Sequence, residues 1–198
     1  MALPTYNKSA RRKQFEQLPK GAYIVRIMGA KEEPNRNGGG THLSIAFDIA
    51  EGEYTGFYDK QYKANEADDK KWPYDAVYYL SVPNDNSQAY VWTNWNTFFA
   101  DLEDSNNGFV FGGDPRTLKG KLIGGKFVIE QSESKGNIYD HTRLKWTCVA
   151  DDIRNGKPGK MPKDKLISVT RAGSATQPST DADGFMEIPD GIDEMVPF

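Results

Sequence analysis

The sequence is poor in the side chains on which many catalytic and metal sites depend. Among its 198 residues there are one cysteine, Cys148, and two histidines, His42 and His141. A single thiol excludes an internal disulfide and any site made of several thiolates. Two histidines give little support for zinc, whose sites usually take three or four nitrogen and sulfur ligands. We therefore expect no metal and no other cofactor.

Long apolar runs are also absent. No stretch approaches the ~20 apolar residues that a membrane-spanning helix needs, and the mean hydropathy is -0.70. The first residues, Met-Ala-Leu-Pro-Thr-Tyr, lack the basic and then apolar order of a secretory signal. These absences predict a soluble, cytoplasmic protein without a membrane partner.

Motifs for nucleotide hydrolysis and for nucleophilic catalysis are missing. Gly-Lys occurs at 120–121, 125–126, 156–157 and 159–160, but Ser or Thr never follows it, which excludes a P-loop. The sequence has no Gly-x-Ser-x-Gly elbow. Neighbouring acids such as Asp68 and Asp69 are most simply solvated loop charges. We expect a binding protein, not an enzyme.

Basic residues are absent from the end of the chain. All 25 Lys and Arg lie at or before Arg171, and six acids follow it. With 28 acids in all, residues 1–171 carry a net charge of +3 and residues 172–198 carry -6. Such a separation is typical of a polyanion-binding domain with an acidic interaction tail. A nearly neutral domain with a solvated acidic end is the alternative.

The same division sets the domain boundaries. We expect residues 1–171 to form one domain, in which residues 1–20 are a basic N-terminal extension with a short helix over Ser9–Gln17. Residues 172–198 hold too few apolar residues to fold, so we expect a disordered acidic tail.

Alternating apolar residues predict most of the strands. The segment Trp72–Val82 fits either a short helix or a buried strand. Strands are predicted at Ala22–Ala30, Thr41–Ala50, Tyr54–Lys63, Lys121–Ile123, Lys126–Gln131 and Ile138–Val149, the last two joined by a hairpin-like turn.

One helix is predicted between these groups of strands, over Asn94–Asp104. Trp95, Phe98, Phe99 and Leu102 lie three and four residues apart and form one apolar face. Three strands, a helix and further strands are the order of the oligonucleotide/oligosaccharide-binding fold. We therefore predict a mainly β protein with an OB-fold-like five-stranded barrel, a helix-bearing insert and the disordered tail. Strand order alone also permits an SH3-like barrel or a small sandwich.

Several predicted strands place aromatic rings and cations on one face. Binding of single strands without sequence preference uses rings that stack on bases and cations that follow the phosphates. Tyrosine on a solvated strand face and lysine at a sheet edge are also ordinary structural features. Because side chains alternate between the two faces of a strand, Trp146 in the last strand is assigned to the core. Trp92 is assigned neither to the core nor to the binding face. The residues expected to bind nucleic acid are Arg26, Tyr58, Lys60, Tyr62, Trp72, Lys126, Tyr139, Arg143 and Lys145.

The chain ends in a compact acidic and aromatic segment, Ile-Asp-Glu-Met-Val-Pro-Phe. It resembles the end of bacterial single-stranded DNA-binding proteins, whose chains close in an acidic stretch and Pro-Phe. Here the acids are more widely spaced, and Met195 and Val196 precede the proline. The resemblance implies a docking peptide for replication, recombination and repair proteins. The docking residues it implies are Asp190, Asp193, Glu194, Pro197 and Phe198.

The body resembles a group of such proteins carried by phages and mobile elements of Gram-positive bacteria. The resemblance covers about residues 20–165 and implies the same barrel fold, but it assigns no base-stacking residue. Its segments are 21–27, 47–49, 51–54, 103–109 and 118–121.

These features together predict a function. We expect sequence-independent binding and protection of single-stranded DNA, with partner proteins recruited by the C-terminal tip. A homo-oligomer is compatible with the sequence. A carbohydrate-binding or virion structural β module, in which rings stack on sugars, is the alternative.

Overall fold

A computed structural model describes residues 16–36 and 38–167. In this part of the chain the strands form one antiparallel sheet in the order β3-β2-β1-β4-β5. The strands are β1 (Gly21–Pro34), β2 (Thr41–Ile49), β3 (Val77–Ser81), β4 (Leu122–Ser134) and β5 (Asn137–Cys148). The helices are α1 (Phe57–Ala64), α2 (Ala89–Asp104) and α3 (Ala150–Arg154), and 3₁₀ turns lie at Tyr74–Ala76 and Pro115–Leu118.

The mainly β class, a five-stranded sheet and a helix between the third and fourth strands are confirmed, although the third strand is not the segment predicted. β1 is the central strand, because it pairs with β2 along one edge and with β4 along the other. No ladder joins β3 to β5 within the described residues, so backbone hydrogen bonds do not close the predicted barrel. α2 packs against β3, β4 and β5.

The core follows from the two periodicities seen in the sequence. Leu43, Ile45, Phe47 and Ile49 alternate along β2, and each is at most 2% exposed, as expected when every second side chain points to one face. Phe98 of α2 is equally buried and stacks on the Tyr78 ring of β3, with centroids 6.0 Å apart. The predicted amphipathic helix is thus confirmed, although it begins five residues earlier, at Ala89.

The predicted third strand at Tyr54–Lys63 is wrong, because this segment forms α1. Gly56 turns the chain with a positive φ of 72°, a conformation that glycine adopts without steric cost. The buried carboxylate of Asp48 then accepts hydrogen bonds from the backbone N–H groups of Tyr58, at 2.9 Å, and Asp59, at 3.3 Å. A carboxylate at a helix N-terminus satisfies donors that lack a partner in the helix. The ambiguous segment that follows supplies the third strand, β3.

β4 is continuous across a break that the sequence predicted at Gly124 and Gly125. A Cβ at Gly124 would lie 2.8 Å from the carbonyl oxygen of Cys148, and one at Gly125 would collide with Leu144. These glycines therefore permit a close approach of β5 and do not end the strand.

A bulge reverses the faces of β5 near its end. Lys126 is opposite Trp146 but Phe127 is opposite Leu144, which leaves Lys145 as an extra residue. An extra residue moves the side chains beyond it to the other face. The assignment of Trp146 to the core is therefore wrong, and this side chain is 46% exposed.

The predicted hairpin between β4 and β5 is confirmed. Its turn consists of Lys135, with φ 53°, and Gly136, with φ 76°, as in the two-residue turns that match strand twist. No helix in the described residues is long and apolar enough to span a membrane. The predicted tail and nearly all of the helix over Ser9–Gln17 lie outside the described residues.

Candidate functional site

Two adjoining grooves lie along the open side of the sheet. The first has a volume of about 500 Å³ and separates β3 from β5, with α2 contributing to its wall. The second, of about 540 Å³, lies beside the end of β1 and the start of β2. Tyr79 lines both grooves, so they adjoin at this ring, and we call the two grooves together the channel. The lining includes the following aromatic and charged side chains: Arg36, His42, Tyr74, Tyr79, Glu130, Arg143, Lys145 and Trp146.

Exposed rings follow this channel. Tyr74 is 59% exposed, Tyr79 45% and Trp146 46%, and we call these three residues the aromatic strip. The Tyr79 ring lies 5.3 Å from His42 and 6.3 Å from Tyr74, measured between centroids. Large rings this exposed leave a face on which another π-system can stack.

Cations accompany the aromatic strip. The guanidinium carbon of Arg143 lies 3.9 Å from the centroid of the Tyr74 ring, a favourable cation–π geometry. Lys145 is exposed because it is the bulged residue, and Arg36 is exposed at the far end of the second groove. One side of the channel thus has both rings and positive charge.

Carboxylates partly balance these cations. Arg143 lies 3.4 Å from Asp75 and 3.8 Å from Glu130, and Glu33 lines the second groove. A hydrogen bond from Lys165, at 2.8 Å, lowers the pKa of Glu130 and keeps it ionised at neutral pH. The cations of the channel are therefore largely balanced by neighbouring carboxylates.

The phenol of Tyr78, which lines the first groove, is neutral. Thr147 donates a hydrogen bond of 2.6 Å to Asp101, and burial raises the pKa of that carboxyl. Burial, and to a smaller extent the nearby Asp101 charge, raises the pKa of Tyr78 to about 12. Tyr78 therefore stays protonated and forms part of the groove wall.

The structure brings two of the predicted binding residues, Arg143 and Lys145, into the channel. Arg26 and Lys60 are exposed, but they lie on β1 and α1, and neither lines the grooves. Tyr139 is 49% exposed near the hairpin turn, opposite Ser132. These three are accessible, but the fold does not place them beside the aromatic strip.

Four other predicted binding residues are held by contacts within the domain. Tyr58 is 2% exposed, so it belongs to the core and cannot stack on a base. Tyr62 packs on Trp72, whose indole N–H donates to the carbonyl of Phe47 at 3.2 Å. Lys126 is almost buried, and its ammonium donates to the carbonyl of Lys160 at 3.3 Å. The docking residues 190–198 lie outside the described part of the chain.

The pattern of the sequence does not identify the aromatic strip, for two reasons. Tyr74 and Tyr79 lie in the segment that fitted either a helix or a strand, so no face could be assigned to them. Tyr79 does alternate with the less exposed Tyr78 and Leu80, a weak signal for a strand. Trp146 was placed by parity, which the bulge at Lys145 reverses.

Compared with known proteins, the chain matches no protein-family model and no curated protein sequence. Among the described residues, no group of three or more His, Cys, Asp or Glu is arranged to hold a metal ion. The channel is thus a groove of rings and cations on an open, five-stranded antiparallel sheet.

Proposed function

We propose that this chain binds single-stranded DNA without sequence preference and protects it, as a non-catalytic cytoplasmic protein of replication, recombination and repair. One observation carries the proposal: the aromatic strip and its cations line the two adjoining grooves of the channel. Stacking of bases on rings tolerates any sequence, because every base has a π-face.

The balance of charge in the channel favours single strands over duplexes. Bases in a duplex already stack on one another, so a duplex would have to bind through its phosphates. Glu33 and Glu130 lie beside Arg36, Arg143 and Lys145, which leaves little net charge for that purpose. Unpaired bases can use the rings as well as the cations.

The C-terminal segment supplies the second half of the proposal. Residues 172–198 carry a net charge of -6 and end in Pro-Phe. A terminal ring beside acids fits a pocket with a basic rim on a partner protein. We therefore assign recruitment of replication, recombination and repair proteins to Asp190, Asp193, Glu194, Pro197 and Phe198.

A binding titration tests the DNA-binding part. Fluorescein-labelled oligo-dT, a duplex of equal length and a labelled oligosaccharide are titrated with full-length protein at two salt concentrations. Preferential binding of oligo-dT supports the proposal. Binding of the oligosaccharide alone would favour the carbohydrate-binding alternative, and preference for the duplex would contradict the role of the aromatic strip.

A further inference from the structure

A separate cavity of about 310 Å³ lies between α1, the middle of β5 and the segment that precedes β1. It takes no part in the channel described above, although Asp75 lies between the two. Its polar lining consists of Glu16, Gln17, Tyr58, Gln61, Asp75, Asp140 and Thr142.

Buried polar atoms in this lining have no hydrogen-bond partner. They are the phenol oxygen of Tyr58 and the hydroxyl of Thr142. Oδ1 of Asp75 also accepts no hydrogen bond, but it lies 3.3 Å from Nδ1 of His141 and 3.4 Å from the Arg143 guanidinium, so it is not without a partner. Tyr58 is 2% exposed and Thr142 is 1% exposed, so bulk water does not satisfy these hydroxyls. Nearly all buried polar side chains in proteins are paired. Two unpaired hydroxyls in the lining of one cavity indicate that an occupant with hydrogen-bond donors belongs there.

The charge of the lining selects the chemistry of the occupant. Glu16, Asp75 and Asp140 are carboxylates, and no Lys or Arg of the described residues lines the cavity. His141 and Arg143 approach Asp75 at 3.3 Å and 3.4 Å, but neither lines it. Burial raises the pKa of Tyr58 above its usual range, so this phenol stays neutral and can accept a hydrogen bond. An anion would be repelled here, whereas a cation rich in N–H donors would be stabilised.

We propose that this cavity binds a guanidinium or ammonium group, and that the group comes from the basic N-terminal segment of the same chain. Residues 1–15 contain Lys8, Arg11, Arg12 and Lys13 and no acidic residue. The chain reaches the cavity at Glu16, whose carbonyl accepts a 2.8 Å hydrogen bond from the Gln61 amide.

The length of chain between these basic residues and the cavity fits the proposal. Arg12 is four residues before Glu16, so an extended chain places their Cα atoms at most ~14 Å apart. A long, flexible side chain can cover the remaining distance. The local concentration of positive charge at the cavity is therefore high, as it is for any tethered ligand.

Trypsin provides a direct test, because it cleaves after the same basic residues that are proposed to dock. Full-length protein is digested under native conditions, and cleavage after Arg11, Arg12 and Lys13 is timed by mass spectrometry. Asp140→Asn and Thr142→Val each remove one proposed contact and should raise the rate several-fold. Asp85→Asn, an exposed acid outside the cavity, is the matched control and should leave it unchanged.

Two further measurements, cleavage at a site outside the segment and thermal unfolding, separate loss of docking from other effects of the substitutions. Cleavage after Lys119, an exposed loop residue, should not change, which separates undocking from general unfolding. If the hydroxyl of Thr142 has no partner, Thr142→Val should raise the midpoint of thermal unfolding; the proposal expects a lower midpoint. Equal cleavage rates in all variants would overturn the proposal.

A third experiment tests whether the cation in the cavity comes from the N-terminal segment. A variant with Lys8, Arg11, Arg12 and Lys13 all changed to Gln should lose thermal stability, and added argininamide should restore part of it. Restoration that Asp140→Asn abolishes confirms the cation chemistry of the cavity. If argininamide stabilises the wild-type chain equally well, the cavity is free and the proposed occupant is wrong. None of these readouts depends on DNA binding.

Discussion

Trp146 and Tyr79 show how single residues define the channel. Both are large rings with nearly half of their surface exposed, and both line the groove between β3 and β5. Rings of this size normally contribute to a core. Under the proposed function, their exposed faces are the surfaces on which bases stack.

Replacing either ring with alanine should weaken oligo-dT binding. Each lost stack is worth about 1–3 kcal/mol, which is roughly a fivefold to hundredfold loss of affinity. Fluorescence anisotropy of labelled oligo-dT measures this loss of affinity for Tyr79→Ala and Trp146→Ala. Trp92→Ala is the matched control, because Trp92 is 43% exposed but lies on the opposite face of α2 from Asn94, which lines the groove. An equal loss in the Trp92 variant would contradict the assignment of the channel.

Lys145 should account for one phosphate contact. Each neutralised phosphate of a single strand contributes about 0.7 to the slope of log affinity against log salt. Lys145→Gln should therefore lower that slope by about 0.7 and weaken binding at low salt. The comparison is with Lys60→Gln, an equal change of charge on α1, where the ammonium donates to the carbonyl of Thr55 at 3.0 Å. If both variants change the slope equally, the two cations act only through the overall charge.

At the scale of elements, α1 depends on a residue from another strand. Asp48 lies in β2, is 6% exposed and accepts from the first backbone donors of α1. Gly56, at the start of the helix, offers no side chain for this purpose. The strand and the helix therefore stabilise each other through a single carboxylate.

Asp48→Ala should destabilise the domain by about 1–2 kcal/mol, the usual cost of a lost N-cap, as measured by urea unfolding. Asp48→Asn should cost less, because its amide oxygen can still accept one hydrogen bond. Burial raises the pKa of Asp48, so its contribution to stability decreases as pH rises from the ordinary pKa through the raised one. The Asn variant should lack this dependence. A wild-type and an Asn variant with identical pH profiles would contradict it.

At the scale of the whole molecule, the charges of the chain are separated. The first 171 residues carry +3 and the remainder -6. Under the proposed function, a tethered acidic segment is expected to compete with phosphates for the cations of the channel, most strongly at low salt, where charges are least screened. The proposed recruitment of partners and the proposed binding of DNA are therefore expected to influence each other.

Deletion of residues 190–198 should abolish partner docking and leave DNA affinity unchanged or slightly higher at low salt. Phe198→Ala retains every acid and removes only the terminal ring, so docking should be lost while DNA affinity stays constant. Pull-downs with host replication and repair proteins, together with anisotropy titrations, measure both effects. Recovery of the same partners by the wild type, the deletion and Phe198→Ala would show that the tip does not dock them.

The sequence by itself determined the elements whose cause is local. β2 follows from strict alternation and α2 from apolar residues three and four positions apart, and both are present as predicted. The hairpin between β4 and β5 follows from Lys135 and Gly136 at its turn. In each case the side chains within the element carry enough information, because the periodicity alone separates a buried face from a solvated one.

Only the tertiary structure decided the features that depend on distant residues. α1 replaced a predicted strand because Asp48, ten residues before Tyr58, caps it. Trp146 turned outward because the pairing of β4 with β5 has a bulge at Lys145. The channel exists because β3 and β5, more than 50 residues apart in sequence, are left as the two edges of one sheet. Such pairings set which side chains meet, and the periodicity within a single element does not reveal them.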